Sequence, residues 1–574
     1  MKTICITNIT NKINPYWVIL FLCGLNLVVM HYYFYYAGLI DHFVVYDLPA
    51  KVDNILGIVI DIIIIYLLSY LFAWKHQKIA MTIVFLVTLA WSFSNVLYSR
   101  FFHQYISLSA IGYGDNLLDK FLIKCIIDGL RCSDLYYIIS TCLYCLLITR
   151  IKQVYHPIRK IFIILAVAIG FYICTYVAFG LWTPKCKDID FVLNRIEQRQ
   201  FSATQRSSDP TNFTYFKGSI RTLTYELFLD DLKGIIKLTP EQQIAIKDEI
   251  NATINSISCK QHIQYDNIIF IIMESYMSFT SNLETDGKEV TPFLNSLRRE
   301  PTVYFNGKMK ENVTIGESSD GQFIYMTGLL PLRAVITVSK AKNVSLPGLP
   351  NMINKKSMMV IPTNTSIWNQ TEMCNKYGID ELYSNKDFGI EYNLSDQQLF
   401  QLAIVKNKIF HKPFFEVILT LSMHQPYNEM IDSSFPIKDT SLSQECACYL
   451  NACHYTDKAL KQYFDYLKSN GLYENSLIII TADHPVHNTD LGGVIRDIPL
   501  YMINIPNELK KDMWSGECNQ LDIYTTLLDL LGIESDWYGL GQSLFSPNYT
   551  NVISPRKWDI SEWIIRSNYF SKKQ

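Results

Sequence analysis

At 574 residues the chain is too long for one ordinary domain, and its 51 Lys and Arg nearly balance 53 Asp and Glu. A net charge of -2, with no basic stripe interleaved with aromatics in the second half, argues against nucleic acid or another polyanion as partner. Apolar residues make up 49% of the chain and crowd into its first third, which argues against a wholly water-soluble protein.

Five stretches there, about 16–40, 55–74, 79–97, 135–149 and 161–182, are apolar enough to be read as membrane helices. The first lacks a small-residue cleavage site and four more follow it, so it reads as a retained span rather than a signal peptide. Lys2 and Lys12 precede the first stretch, Lys75 and Lys78 separate the second from the third, and Arg150, Lys152, Arg159 and Lys160 separate the fourth from the fifth. All three groups fall on one side, the cytoplasmic side by the basic-loop rule. The loop 99–134 is mixed, with Arg100, Lys120, Lys124 and Arg131. An odd number of spans then places everything after Trp182 outside the cytoplasm. Seven of the 14 cysteines lie in that exported part, where disulfides are permitted and buried free thiols are the plainer alternative.

Residues 184–265 read as a connector, with a Ser/Thr/Asn loop over 202–214. Thr239, Pro240 and Gln242 form a helix start, with a cap, a first-turn proline and a capping-box glutamine ahead of 244–254. From residue 266 short apolar runs alternate with amphipathic segments, the pattern of a mostly parallel sheet wrapped by helices. The runs are 268–273, 358–361, 415–421, 477–480 and 500–505, and helices are expected over 449–469 and 521–531.

Ligands of open α/β sheets gather beyond the carboxyl ends of the strands. Glu274 follows the first of these runs, Ser422, Met423 and His424 follow the third, and Asp483 and His484 follow the fourth. Carboxylate oxygens with an imidazole nitrogen suit a divalent ion such as Zn2+ or Mn2+. An Asp-His pair alone is common in exposed loops; three strand ends with compatible ligands are more specific. The segment Gly316-Glu317-Ser318-Ser319-Asp320-Gly321 precedes an apolar helical stretch. By itself it is a turn and an N-cap; beside a metal, a hydroxyl at a helix start is a nucleophile.

Taken in order, Ile-Ile-Met-Glu at Glu274, Gly-Glu-Ser-Ser-Asp at Ser318, Leu-Ser-Met-His at His424 and Thr-Ala-Asp-His at Asp483 and His484 resemble the motifs of the lipoteichoic acid synthase family. That family resembles phosphoethanolamine transferases and arylsulfatases in fold, and the likeness extends to five membrane spans ahead of an exported catalytic domain. The resemblance implies a helical membrane domain over 1–183, a connector over 184–265, and over 266–574 an α/β domain of the alkaline phosphatase and sulfatase type with a mostly parallel sheet. It implies one divalent ion, Mn2+ or Zn2+, held by Glu274, Ser318, Asp483 and His484, with Ser318 as nucleophile where the synthases usually have threonine. His424 would contact the substrate phosphate or protonate the leaving group, and Trp368 would lie beside the headgroup. Gln370 stands where the synthases carry an arginine, whose guanidinium grips a phosphate as an amide does not. The partners implied are a phospholipid donor in the membrane and a glycan or glycolipid acceptor at the cell envelope, with the chain in a bacterial cell membrane.

Other polar residues have plainer readings: His487 as a loop histidine, His454 as a structural or supporting residue within a helix, and Asp522 as a cap. Sulfate-ester hydrolysis through formylglycine is disfavoured because Ser318 is followed by Ser319, Asp320, Gly321 and Gln322, which lack the modification signal. A phosphatase or phosphodiesterase of the same fold, and a membrane sensor without catalysis, are the remaining alternatives.

Overall fold

A computed structural model describes residues 15–37, 48–72, 76–102, 105–106, 126–127, 129–150, 163, 166, 214–215, 218–225, 235–259, 262–333, 335–410, 412–487 and 491–572. The chain divides into two compact units, Met1–Gly112 with Gly129–Lys233, and Tyr113–Asp128 with Gly234–Gln574.

In the first unit, four of the five apolar stretches form helices: Pro15–Tyr36, Leu48–Phe72, Gln77–Phe102 and Leu135–Ile148. Two segments, Trp17–Tyr36 and Lys78–Arg100, are long and apolar enough to cross a membrane, whereas Asn54–Tyr66 and Cys132–Ile148 are shorter apolar helices. The fifth stretch, 161–182, lies almost wholly outside the described residues, as does most of the 202–214 loop. Five spans are therefore an expectation that the described helices meet only in part. Polar side chains join the helices. Ser92 donates to the Asn26 carbonyl at 2.6 Å, and Tyr136 and Ser140 donate to Asn26 Oδ1. Such bonds hold apolar helices together where no water competes. Arg100 is buried against Asp134 at 2.7 Å, so this charge of the mixed 99–134 loop is neutralised inside the unit.

The second unit is built on an eight-stranded sheet. Its strands are β1 (Asn267–Met273), β4 (Val303–Lys310), β5 (Lys356–Val360), β6 (Glu381–Tyr383), β7 (Phe414–Leu419), β8 (Ser476–Ala482), β9 (Ile498–Ile503) and β10 (Cys518–Asn519). A small antiparallel ribbon, β2 (Glu284–Thr285) with β3 (Lys288–Glu289), stands apart. The order across the sheet is β10-β4-β9-β8-β1-β7-β5-β6. β1 and β8 are buried along their whole length, as continuous apolar runs in a two-sided sheet must be. Every pairing is parallel except the two made by β9, which runs against β8 on one side and β4 on the other. Two reversals restore direction, so β4 points the same way as β8 and its carboxyl end joins the same edge.

All five apolar runs become strands, with ends shifted by a few residues. The helix start at Thr239 forms as read: Thr239 Oγ1 accepts from the Gln242 amide at 3.3 Å, and Gln242 Oε1 accepts from the Thr239 amide at 2.9 Å, opening Pro240–Ile254. The helices expected over 449–469 and 521–531 are Gln444–Ser469 and Asp522–Leu531. β4 was not anticipated, because its alternating sequence and internal Gly307 give no continuous apolar run. Cys259, Cys374, Cys446, Cys448, Cys453 and Cys518 are all buried, and no disulfide occurs among the described residues; Cys186 lies outside them.

Candidate active site and metal centre

The carboxyl ends of β1, β8, β7 and β4 deliver the polar residues to one edge. Past β1, Glu274 is buried, its amide donating to Thr420 Oγ1 at 2.9 Å and its Oε1 accepting from Ser275 Oγ at 2.7 Å. Past β8, Asp483 Oδ1 accepts from the amides of Ser275 and His484 at 2.9 and 2.8 Å. Its other oxygen lies 3.7 Å from His484 Nε2, and Glu274 Oε1 lies 3.7 Å from the same nitrogen. His484 Nδ1 donates to the Pro485 carbonyl at 2.8 Å. A carbonyl can only accept, so this bond puts a proton on Nδ1 and turns Nε2 toward the carboxylates.

Ser318 opens the helix Ser318–Thr327, and its Oγ donates to Glu274 Oε2 at 3.2 Å and lies 3.1 Å from His484 Nε2. The residue before it, Glu317, has φ 46° and ψ -118°, a strained backbone for a side chain with a Cβ. Ser275 (φ 51°) and Trp368 (φ 53°) share the left-handed region, so strained positions adjoin several site residues. Gly321 allows the helix to sit directly on the exit of β8: a Cβ there would come within 2.4 Å of the Asp483 carbonyl oxygen. Neighbouring Ser319 points elsewhere, buried and donating to the Gly316 carbonyl at 2.7 Å.

One ligand atom each from Glu274, Asp483 and His484 fall within 4.8 Å of one another, all three residues buried. Burial, with the charge of Glu274 added, pushes the Asp483 carboxyl up to about 7. Burial alone would lower His484, but the carboxylates of Asp483, Glu317 and Glu274 raise it to about 10. Crowded buried carboxylates around one imidazole are costly without a cation among them, and a divalent ion would hold both acids ionised and take the Nε2 lone pair. The donor set therefore fits such an ion.

His424 follows β7, and its Nδ1 donates to the Gln425 carbonyl. Burial holds it below the ordinary histidine value, and the nearby positive charge of His484 acts in the same direction. Trp368 and Gln370 follow β5, in the turn Ile367–Asn369 and at the start of the helix Gln370–Tyr377. Gln370 is buried, its amide exchanging bonds of 3.3 and 3.4 Å with Gln322, so it is sealed into the protein rather than presented like a guanidinium.

The secondary residues divide. His454 is structural: Nδ1 donates to the Val290 carbonyl at 2.9 Å and the ring stacks on Phe435. Asp522 lies in the first turn of its helix, but its buried carboxylate also ties Asn519, Gln542 and Tyr549 together. His487, read from the sequence as a loop histidine, lies against Glu311 and Glu317. Glu311 escaped the sequence reading because the strand before it did.

Residues 266–533 match the family model described as Sulfatase. The chain is 25% identical over 536 residues to lipoteichoic acid synthase 2 of Bacillus subtilis, covering 85% of this chain and 77% of that protein. It is 26% identical over 516 residues to the lipoteichoic acid synthase of Staphylococcus aureus, covering 81% and 75%. Among solved structures, the lipoteichoic acid synthase of Listeria monocytogenes aligns with a TM-score of 0.43 at 19% identity, covering 56% of this chain and 96% of that one. The family match and these relatives, added to the ordered motifs at the sheet edge, point to an enzyme similar to the lipoteichoic acid synthases, with a Sulfatase-type domain over residues 266–533.

Proposed function

We propose that the protein transfers the headgroup phosphate of a membrane phospholipid, phosphoglycerol or phosphoethanolamine, to a cell-envelope acceptor through a covalent intermediate on Ser318. The observation that carries this reading is the Ser318 hydroxyl at a helix start, 3.2 Å from Glu274 and 3.1 Å from His484. Glu274, Asp483, His484 and the Ser318 oxygen would hold one divalent ion, Mn2+ or Zn2+. When bound, that ion supplies Lewis-acid stabilisation of oxygen charge and favours the serine alkoxide.

Ser318 Oγ attacks phosphorus, the bond to the diacylglycerol oxygen breaks, that oxygen takes up the proton Ser318 gives up, and the headgroup phosphate stays on serine. The Ser318 proton already points at Glu274 Oε2, which sets the direction in which it leaves. The acceptor hydroxyl then attacks from the opposite side, the phosphorus–Oγ bond breaks, and two in-line displacements retain configuration. His424 is held neutral, with Nδ1–H fixed on Gln425, so Nε2 keeps its lone pair. It therefore suits taking the proton of the attacking hydroxyl better than supplying one at the outset. Trp368 would lie beside the headgroup. The membrane part, read as five spans over 1–183, would anchor the exported domain 266–574 to the membrane that holds the lipid donor, with 184–265 as connector.

Mass spectrometry of the protein incubated with mixed phospholipids tests this reading. An adduct of headgroup-phosphate mass on Ser318 is expected, abolished in Ser318→Ala and retained in Ser319→Ala, whose hydroxyl is committed to Gly316. Loss of the adduct in Ser319→Ala with retention in Ser318→Ala would shift the nucleophile by one residue.

A further inference from the structure

We infer that Asp396 is a positioning residue for the second displacement, holding the turn 421–424 that carries His424. The inference rests on the reading of Ser318 as nucleophile and of His424 as base for the acceptor hydroxyl. In that step the acceptor oxygen bonds to phosphorus and the phosphorus–Oγ bond breaks, while the acceptor proton goes to His424 Nε2 and from there to Ser318 Oγ.

Asp396 is the first residue of the helix Asp396–Ile409 and is wholly buried. A carboxylate in a first turn ordinarily serves the free amides of its own helix or faces water. Here that task is already taken: Ser395 Oγ accepts from the Gln398 amide at 3.4 Å, and Gln398 Oε1 accepts from the Ser395 amide at 3.0 Å. The Asp396 side chain instead reaches the exit of β7. Its Oδ1 accepts from the amides of Leu421 at 2.8 Å and Ser422 at 3.0 Å, and its own amide donates to Ser422 Oγ at 2.9 Å. Oδ2 accepts from the buried Thr456 hydroxyl of the helix Gln444–Ser469, which aims the carboxylate.

Where this hold begins decides which step it serves. Thr420, one residue earlier, belongs to the sheet: its amide donates to the Ile272 carbonyl at 3.0 Å, and its hydroxyl receives the Glu274 amide at 2.9 Å. Leu421 is the first residue held by Asp396, and its carbonyl accepts from the His424 amide at 2.8 Å, closing the turn. Tyr427 secures the far side, its hydroxyl donating to the Met423 carbonyl at 2.7 Å. Glu274 is thus placed by the sheet, whereas His424 is placed by a turn that leans on one carboxylate. Without that carboxylate two amides lose their acceptor and the turn must move to find others. A base works only within hydrogen-bond reach of its proton, so such a shift falls on His424 and spares Ser318.

Rapid quenching of Mn2+-loaded, detergent-solubilised full-length protein with mixed phospholipids, and glycerol as acceptor, separates the two displacements. The burst of diacylglycerol reports formation of the Ser318 adduct, and the steady release that follows reports its discharge. Asp396→Ala should form the adduct within about threefold of the wild-type rate and discharge it ~10²-fold more slowly, so that phosphorylated Ser318 accumulates in intact-protein mass spectra. Asp396→Asn keeps an oxygen for both amides and should bring discharge back to within about tenfold of wild type. Adding Asp396→Ala to His424→Ala should slow discharge no further than His424→Ala does, because both act through one group. Should Asp396→Ala fail to melt cooperatively, Thr456→Val carries the test, with discharge slowed severalfold and adduct formation unchanged. A merely structural anchor would reduce both steps together. Equal loss in burst and steady phases, unchanged discharge in the folded variants, or no rescue by Asp396→Asn overturns the inference and leaves the adduct reading intact. A wild type that forms no Ser318 adduct, or never discharges it, overturns that reading itself.

Discussion

Gly321 is where the nucleophile helix meets the strand end that carries Asp483 and His484, and Gly321→Ala should disable the enzyme without touching a reacting group. The added methyl would lie 2.4 Å from the Asp483 carbonyl oxygen and 2.8 Å from its Cα. Non-bonded carbon and oxygen come no closer than about 3.3 Å, so roughly 0.9 Å must be made up. Both parties are backbone inside regular or buried structure, so no flexible side chain can yield. The helix start must move relative to Asp483 and His484, and the 3.1 and 3.2 Å contacts of Ser318 then open beyond hydrogen-bond range. A misplacement near 1 Å costs about 10²-fold in rate, or about 2.7 kcal/mol of barrier. Diacylglycerol release from phospholipid vesicles by solubilised protein measures it, with melting temperature and metal content recorded on the same samples. Gly389→Ala is the control. Gly389 has φ +85° but nothing within 4 Å of a would-be Cβ, so that change should cost about 1 kcal/mol of stability and no activity. Folded Gly321→Ala that turns over within about threefold of wild type would refute the argument that this contact sets the position of Ser318.

Three further outcomes are expected. Glu416, wholly buried on β7 against Asn407 and Tyr463, is pushed up to about 8 by burial, so the folded protein keeps a proton that the unfolded chain releases near 4.5. Stability should therefore fall as pH rises from about 4.5 to 8, by on the order of a few kcal/mol. Glu416→Gln should flatten that decline in denaturant melts, and an unchanged slope would count against it. With Gln370 sealed against Gln322 in place of an arginine, phosphatidylethanolamine should serve as donor at least as well as phosphatidylglycerol; turnover of phosphatidylglycerol alone would contradict this. Protease added outside intact cells should release a fragment of roughly 40 kDa, and protection until permeabilisation would reverse the proposed orientation.

Elements whose signals are local were legible in the residues alone. Continuous apolar runs marked β1 and β8, and a run broken by Glu416 marked β7, because a strand covered on both faces needs no alternation, and Glu274, His424, Asp483 and His484 stood out among the first polar residues past them. The Thr239 to Gln242 box was equally legible, since its partners lie three residues apart. The tertiary structure alone decided what depends on strand order. β4 reaches the catalytic edge because β9 reverses between it and β8, and this brings Glu311 and Glu317 against His487. The fate of Gln370 is likewise set by Gln322 from the nucleophile helix, 48 residues away. Nothing in the sequence around any of these residues encodes a neighbour that only sheet topology supplies.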